Sequence, residues 1–163
     1  MATKPAPAFV EHDHDHDHCL QDALDRADAI CLDNGARMTD LRRQVLRLIW
    51  SGHNPLGAYD ILDALRQERG NAEPPTVYRA LEFLLEHGLI HRIESLNAYV
   101  GCNAPELPHG GQFLICRTCG MTAELNDPRI DTAISERALA AGFEVGRRTI
   151  EVDGICPHCQ QKG

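Results

Sequence analysis

Apolar residues recur with a helical period over the first part of the chain and with a strand period later. Leu20, Leu24, Ala27 and Ile30 fall along one face of a segment that runs to Asp33, where Asn34-Gly35 is a stop signal. Thr39 is placed to cap a second helix, with Leu41, Val45, Leu48 and Ile49 on its inner face and Gly52 at its end. A third helix is predicted over 58–69, with Ile61, Leu62 and Leu65 inward and Gly70 after it. The fourth follows Pro74-Pro75. Its expected cap is Thr76, its buried stripe Val77, Leu81, Leu84 and Leu85, and its end Gly88.

Beyond Gly88 the pattern turns extended. Leu89 to Ile93, a polar turn through Ser95-Leu96-Asn97, and Tyr99-Val100 read as a β-hairpin. Several short helices followed by a hairpin predict a winged helix over 20–101, in which the helix before the wing enters the major groove N-terminus first. Thr76, Tyr78 and Arg79 then stand where bases or phosphates would be met. Residues 102–111 are rich in Gly, Pro and Asn and read as a hinge. Over 112–163 strands are expected at 112–116 and 121–125, a helix from Pro128 to about Ala141, and a strand over 143–155. The helix would bury Ile130, Ala133, Ile134, Ala138 and Leu139, and the last strand Phe143, Val145, Ile150, Val152 and Ile155. The fold class is therefore α+β, an N-terminal winged helix with a small C-terminal α/β domain. That domain is too small to be stable unaided, and its sheet edge is a ready dimer interface.

Residues 1–19 fit neither half. They end in His12-Asp-His14-Asp-His16-Asp-His18-Cys19, a strict alternation with no apolar residue, for which a solvated, disordered tail is the default. Weak metal binding by His12, His14, His16, His18 and Cys19 is the other reading.

Charge modifies this picture without overturning it. The net charge is −8, and no region is basic as a whole. Locally, Arg37, Arg42, Arg43 and Arg47 are opposed by Asp40 alone, and phosphate affinity depends on charge at the contact face. Arg42 and Arg43 therefore join the candidate DNA-binding residues. Seven cysteines with no secretory apolar segment predict a reducing, cytoplasmic setting in which cysteines serve as ligands. No apolar run is long enough to span a membrane.

The chemistry is concentrated in cysteine and histidine. Cys116-Arg-Thr-Cys119 and Cys156-Pro-His-Cys159 together supply four thiolates, a closed tetrahedral set that suits structural Zn²⁺ and leaves no open position for reaction. Redox dithiols of the thioredoxin kind open a helix after a βαβ pattern, which neither pair does. His91, Cys102, His109 and Glu124 remain as a possible mixed N/S/O site. Taken singly, they read equally as a surface histidine, a packed thiol, a linker histidine and a solvent-facing strand residue.

Pro75-Thr-Val-Tyr-Arg-Ala-Leu81, His91 with Cys102, His109 seven residues before Cys116, the CxxCG at 116–120, Glu124 and the terminal CxxC together resemble the ferric uptake regulator family, most closely its zinc-responsive branch. The resemblance spans about residues 20–163. It implies a homodimeric winged-helix repressor on double-stranded operator DNA, with the C-terminal half as dimerisation domain and two zinc ions per subunit. One would be structural, on Cys116, Cys119, Cys156 and Cys159, and one regulatory, on His91, Cys102, His109 and Glu124. Iron- and peroxide-sensing members, the alternative within the family, carry a His-rich run before the first CxxC, where this chain has Pro108-His109-Gly-Gly. A soft Cys102 beside imidazoles also favours zinc over iron. Two other classes compete. A zinc hydrolase would use Glu124 as base but finds no oxyanion donor or substrate cleft in the sequence, and a zinc-storage protein would rely on the His/Asp tail. No enzyme activity, small-molecule substrate or membrane partner is expected.

Overall fold

The computed structural model describes residues 9, 15–107 and 110–163. The chain divides into two compact units, an N-terminal one over 11–106 and a C-terminal one holding 107–163.

The N-terminal unit is built from α1 (His16–Asp33), α2 (Asp40–Trp50), β1 (Leu56–Gly57), α3 (Ala58–Arg69), α4 (Pro74–Glu86), β2 (Ile90–Ile93) and β3 (Ala98–Gly101). The periodic stripes point inward as expected. Leu24, Ala27 and Cys31 of α1, Val45, Leu46 and Ile49 of α2, Ile61, Leu62 and Leu65 of α3, and Val77, Ala80, Leu81 and Leu84 of α4 are all buried. With Leu89, Ile90 and Tyr99 they form one continuous core. Thr39 caps α2, its hydroxyl accepting the N–H of Arg42 at 3.3 Å.

Two helix starts differ from expectation. α1 begins at His16, four residues ahead of Leu20, because Asp15 supplies an N-cap that accepts the N–H of His18 at 3.2 Å. The last part of the expected disordered tail, residues 16–19, is thus helical. α4 begins at Pro74, with Glu73 as N-cap, so Thr76 lies inside the first turn and does not cap it. Proline has no N–H to satisfy and a fixed φ suited to the first helical position, so this start needs no side-chain cap.

The hairpin forms as read, closed by one 3₁₀ turn over Glu94–Leu96 with Asn97 left-handed at φ 47°. The sheet gains a strand that periodicity missed. The two residues of β1 pair antiparallel with β3, giving the order β1-β3-β2, and two residues are too few to show a period. Where β3 ends, Gly101 packs against the Trp50 indole, and a Cβ at 101 would clash with it, 2.2 Å from Cε2.

The C-terminal unit comprises β4 (Gly111–Cys116), β5 (Thr122–Glu124), α5 (Pro128–Ala140), β6 (Thr149–Gly154) and α6 (Pro157–Gln161). β4 and β5 are an antiparallel hairpin, and α5 crosses over to bring β6 parallel to β4, for the order β5-β4-β6. The interior is small: Phe113, Ile115, Cys116, Met121, Ala123 and Cys156, with Gln112 bonded to the Asp127 backbone through both amide atoms.

Here the burial expectation fails. The last strand covers only 149–154 of the predicted 143–155, and Phe143 is 67% exposed. Val152 and Ile155 are also exposed, and α5 buries none of its apolar positions. The periodicity is real, but among the described residues the face that it marks is at most half-buried. The short α6 went unpredicted because its five residues are too few for a pattern.

Candidate metal centre and nucleic-acid interface

The four paired cysteines meet at one end of the C-terminal sheet. Cys116 ends β4. The chain then folds back through a turn in which the N–H of Gly120, at φ 77°, donates to the Cys116 carbonyl at 2.8 Å. That turn brings Cys119 beside Cys116. The parallel register pairs Cys116 with Gly154, so Cys156 emerges two residues later next to them as the N-cap of α6, and Cys159 follows on its first turns. This second CxxC does open a short helix after a β–α–β crossover, contrary to the sequence expectation. Its context alone does not exclude a redox dithiol, and the structural reading rests on the meeting of all four sulfurs. The four sulfur atoms lie within 4.8 Å of one another, with Cys119 and Cys156 Sγ at 3.8 Å. Thiolates sharing a tetrahedral zinc, with Zn–S about 2.3 Å, stand about 3.8 Å apart. The donor set fits the ion.

The electrostatics agree. The Cys116 sulfur accepts the N–H of Cys156 at 3.3 Å. That bond, with a second backbone donor at Cys119, lowers its pKa to about 6. Cys159 is pushed up to about 12 by desolvation and by the neighbouring sulfurs. One thiolate therefore forms readily while the crowd opposes a second, a conflict that a dication resolves.

Of the remaining candidates, His91 and Cys102 are brought together by the wing. Gly101 pairs with Ile90, and the N–H of Cys102 continues the ladder to the Leu89 carbonyl at 3.0 Å. Cys102 thus stands opposite Leu89, on the same face as His91, since residues two apart along a strand share a face. Their ligand atoms lie within 4.8 Å, and Cys102 is 2% exposed. Glu124 belongs to the C-terminal unit, on β5 opposite Phe113. His109 lies outside the described residues, as do His12 and His14.

The segment after Cys102 is held from α1. Arg26 Nε and Nη2 donate to both oxygens of Glu106 at 2.5 Å, and Nη2 also reaches the Asn103 carbonyl at 3.0 Å. This clasp keeps the Glu106 carboxylate ionised down to a pKa of about 2. Its partners are 80 residues apart, and no local spacing announces it.

On α4, Val77 points into the core, while Tyr78 and Arg79 are exposed and Thr76 is half-buried on the same first turns. The Arg79 guanidinium forms no hydrogen bond or ion pair among the described residues. Three arginines of α2 are engaged within the unit. Arg42 stacks 3.6 Å above the Phe83 ring and donates to the Arg37 carbonyl, Arg43 pairs with Asp28, and Arg47 pairs with Glu68 at 2.8 Å. Arg42 and Arg43 thus fix helices against one another, and Arg79 is left facing solvent. Tyr59, 71% exposed on the first turn of α3, is a surface aromatic that the search for buried stripes passed over.

Among the described residues, no helix is long and apolar enough to cross a membrane. The model of the Ferric uptake regulator family matches residues 33–153. The chain is 39% identical over 140 residues to the zinc uptake regulation protein of Escherichia coli (strain K12), covering 85% of this chain and 82% of that one. It is 30% identical over 129 residues to the zinc uptake regulation protein of Mycobacterium tuberculosis (strain ATCC 25618 / H37Rv), covering 77% and 96%. A solved zinc uptake regulator in complex with zinc and DNA superimposes with a TM-score of 0.83 at 38% identity, over 88% of this chain and 96% of that one.

Proposed function

The chain belongs to the Ferric uptake regulator family, and from that premise we propose that it is a zinc-responsive transcriptional repressor. It binds operator DNA as a zinc-loaded homodimer in the cytoplasm and controls zinc-uptake genes. It is a regulator and not an enzyme. The observation that carries the choice of metal is the buried Cys102 beside His91, a soft thiolate with an imidazole, which suits zinc better than iron.

Each subunit holds two zinc ions. Cys116, Cys119, Cys156 and Cys159 hold a structural one, which secures β6 and α6 to the β4–β5 hairpin. His91, Cys102, His109 and Glu124 hold a regulatory one that contributes Lewis acidity to no reaction and serves only as a bridge. Their task is positional: His91 comes from the wing, Cys102 and His109 from the two ends of the hinge, and Glu124 from the C-terminal unit. Arg79 and Tyr78 of α4, with Thr76 beside them, meet the major groove, and Arg42 and Arg43 of α2 contribute to the DNA-binding face. The uncovered apolar residues of α5, Phe143, Val152 and Ile155 support self-association through the C-terminal unit.

By linkage, if zinc raises the affinity for DNA, DNA raises the affinity for zinc by the same factor, commonly about 5–150-fold. A gel-shift titration of the protein on operator DNA with increasing free zinc, and a chelator control, tests the reading. Zinc-dependent binding reversed by chelator supports it. Binding that ignores zinc contradicts it.

A further inference from the structure

The clasp from α1 grips the chain immediately after Cys102, and neither zinc ligation nor DNA reading, as proposed above, gives it a task. Positions 102–107 belong to no helix or strand, yet three elements converge on 101–106. The Trp50 indole of α2 packs against Gly101. The Cys102 N–H donates to the Leu89 carbonyl at 3.0 Å. Arg26 of α1 donates to the Asn103 carbonyl at 3.0 Å and to both carboxylate oxygens of Glu106 at 2.5 Å. The backbone of Cys102 is thus held on one side by the wing and on the other by a guanidinium.

We propose that Arg26 is a positioning residue for the regulatory zinc, holding the hinge so that the Cys102 sulfur stands beside His91 before the ion arrives. The inference rests on the regulatory site proposed above. An ion's apparent affinity is its intrinsic affinity scaled by the fraction of molecules whose ligands are in place. Ordering those ligands in advance removes that cost from binding. An ion pair as exposed as this one is worth at most about fivefold in an equilibrium constant, which bounds how far the clasp can raise zinc affinity. By linkage, zinc at Cys102 tightens the clasp by the same factor and firms the hold of α1 on the hinge.

The competing account is charge. Arg26 is held charged first by its bond to Glu106, and the Cys102 sulfur adds to this, so the guanidinium lies within electrostatic reach of the site. Bound zinc carries more positive charge than the proton it displaces. By charge alone, removing the arginine would tighten zinc binding, whereas removing the carboxylate would weaken it. Positioning requires both changes to act in one direction.

Zinc is titrated into the full-length protein, Arg26→Met, Glu106→Ala and Cys102→Ala against a chromophoric chelator, and the tetrad zinc is counted after mild chelation. Arg26→Met and Glu106→Ala are each expected to weaken the exchangeable zinc about two- to fivefold, with the tetrad zinc retained. Cys102→Ala should weaken it at least tenfold. Shifts of opposite sign in the two clasp variants, a shift in only one, or wild-type affinity in both overturn the positioning role while leaving the site itself standing. Wild-type affinity in Cys102→Ala removes the regulatory site, and the inference with it.

Discussion

Every one of the four helices in the N-terminal unit buries an apolar stripe, whereas α5 of the C-terminal unit buries nothing and leaves Leu139 79% exposed. Both units obey the same rule, that apolar surface removed from water is the main stabilising term. Only the first has enough chain to satisfy it alone. The second has a handful of buried residues and, in our account, relies on a metal and a partner for what its core lacks. On that proposal the stronger fold carries the DNA-reading helix, and the weaker one carries the zinc cross-link.

Removing the cross-link should therefore have the largest effect. Cys119→Ser takes one thiolate from a closed tetrad, and structural zinc in small domains contributes on the order of 10 kcal/mol or more of folding free energy. We expect the C-terminal unit to unfold and its zinc to be lost, while amide protection in α2, α3 and α4 survives. Protection retained in β4 and β6 without zinc would show that the tetrad is not what holds them.

A pair of leucines sharpens the same comparison. Leu84→Ala leaves a cavity in the N-terminal core and should cost about 2–5 kcal/mol. Leu139→Ala should leave the fold of the chain intact and instead weaken self-association, read by sedimentation. Equal destabilisation by the two would mean that Leu139 is covered within its own chain.

Arg79→Ala should weaken operator binding by about 1–3 kcal/mol and relax discrimination at one base position, with zinc binding unchanged. Unaltered DNA affinity, measured by anisotropy, would remove α4 from the reading role.

The smallest effect belongs to the Arg26–Glu106 clasp, whose side chains are about 40% exposed. Arg26→Met should cost only about 0.5 kcal/mol. Glu106 has its pKa lowered from 4.5 to about 2, so its contribution is fully present above about pH 4.5 and is lost as pH falls through about 2. Denaturant midpoints of wild type and variant should differ near neutrality and converge in strong acid. A constant offset would assign the effect to something other than the carboxylate.

Much of this was legible in the chain because the signals are local. The stripe Ile61, Leu62 and Leu65 and the Thr39 cap follow from helical period and hydrogen-bonding chemistry, and the CxxC pairs announce their own meeting. Other features arise from tertiary placement. The two-residue β1 exists only because β3 offers it an edge. His53 reaches His16, and Arg26 reaches Glu106, across 37 and 80 residues with no spacing to reveal either contact. Phe143, Val152 and Ile155 show a further limit: their pattern reports that a face is apolar, not whether the same chain covers it. The α4 start was missed for a different reason, since Pro74 and Pro75 favour the first turn through fixed φ while Thr76 offered a familiar capping side chain.

Cys102→Ala tests the central claim, that a sensing site distinct from the folding site controls DNA binding. The variant loses the thiolate beside His91 and keeps all four cysteines of the tetrad. Zinc content after mild chelation, secondary structure and operator affinity are measured together as free zinc is varied. We predict one retained zinc, an intact fold, and DNA binding that needs at least tenfold more zinc or is lost, although no DNA-facing residue has changed. Operator binding with the zinc dependence of the wild type would show that Cys102 is a packed thiol, and would contradict the account.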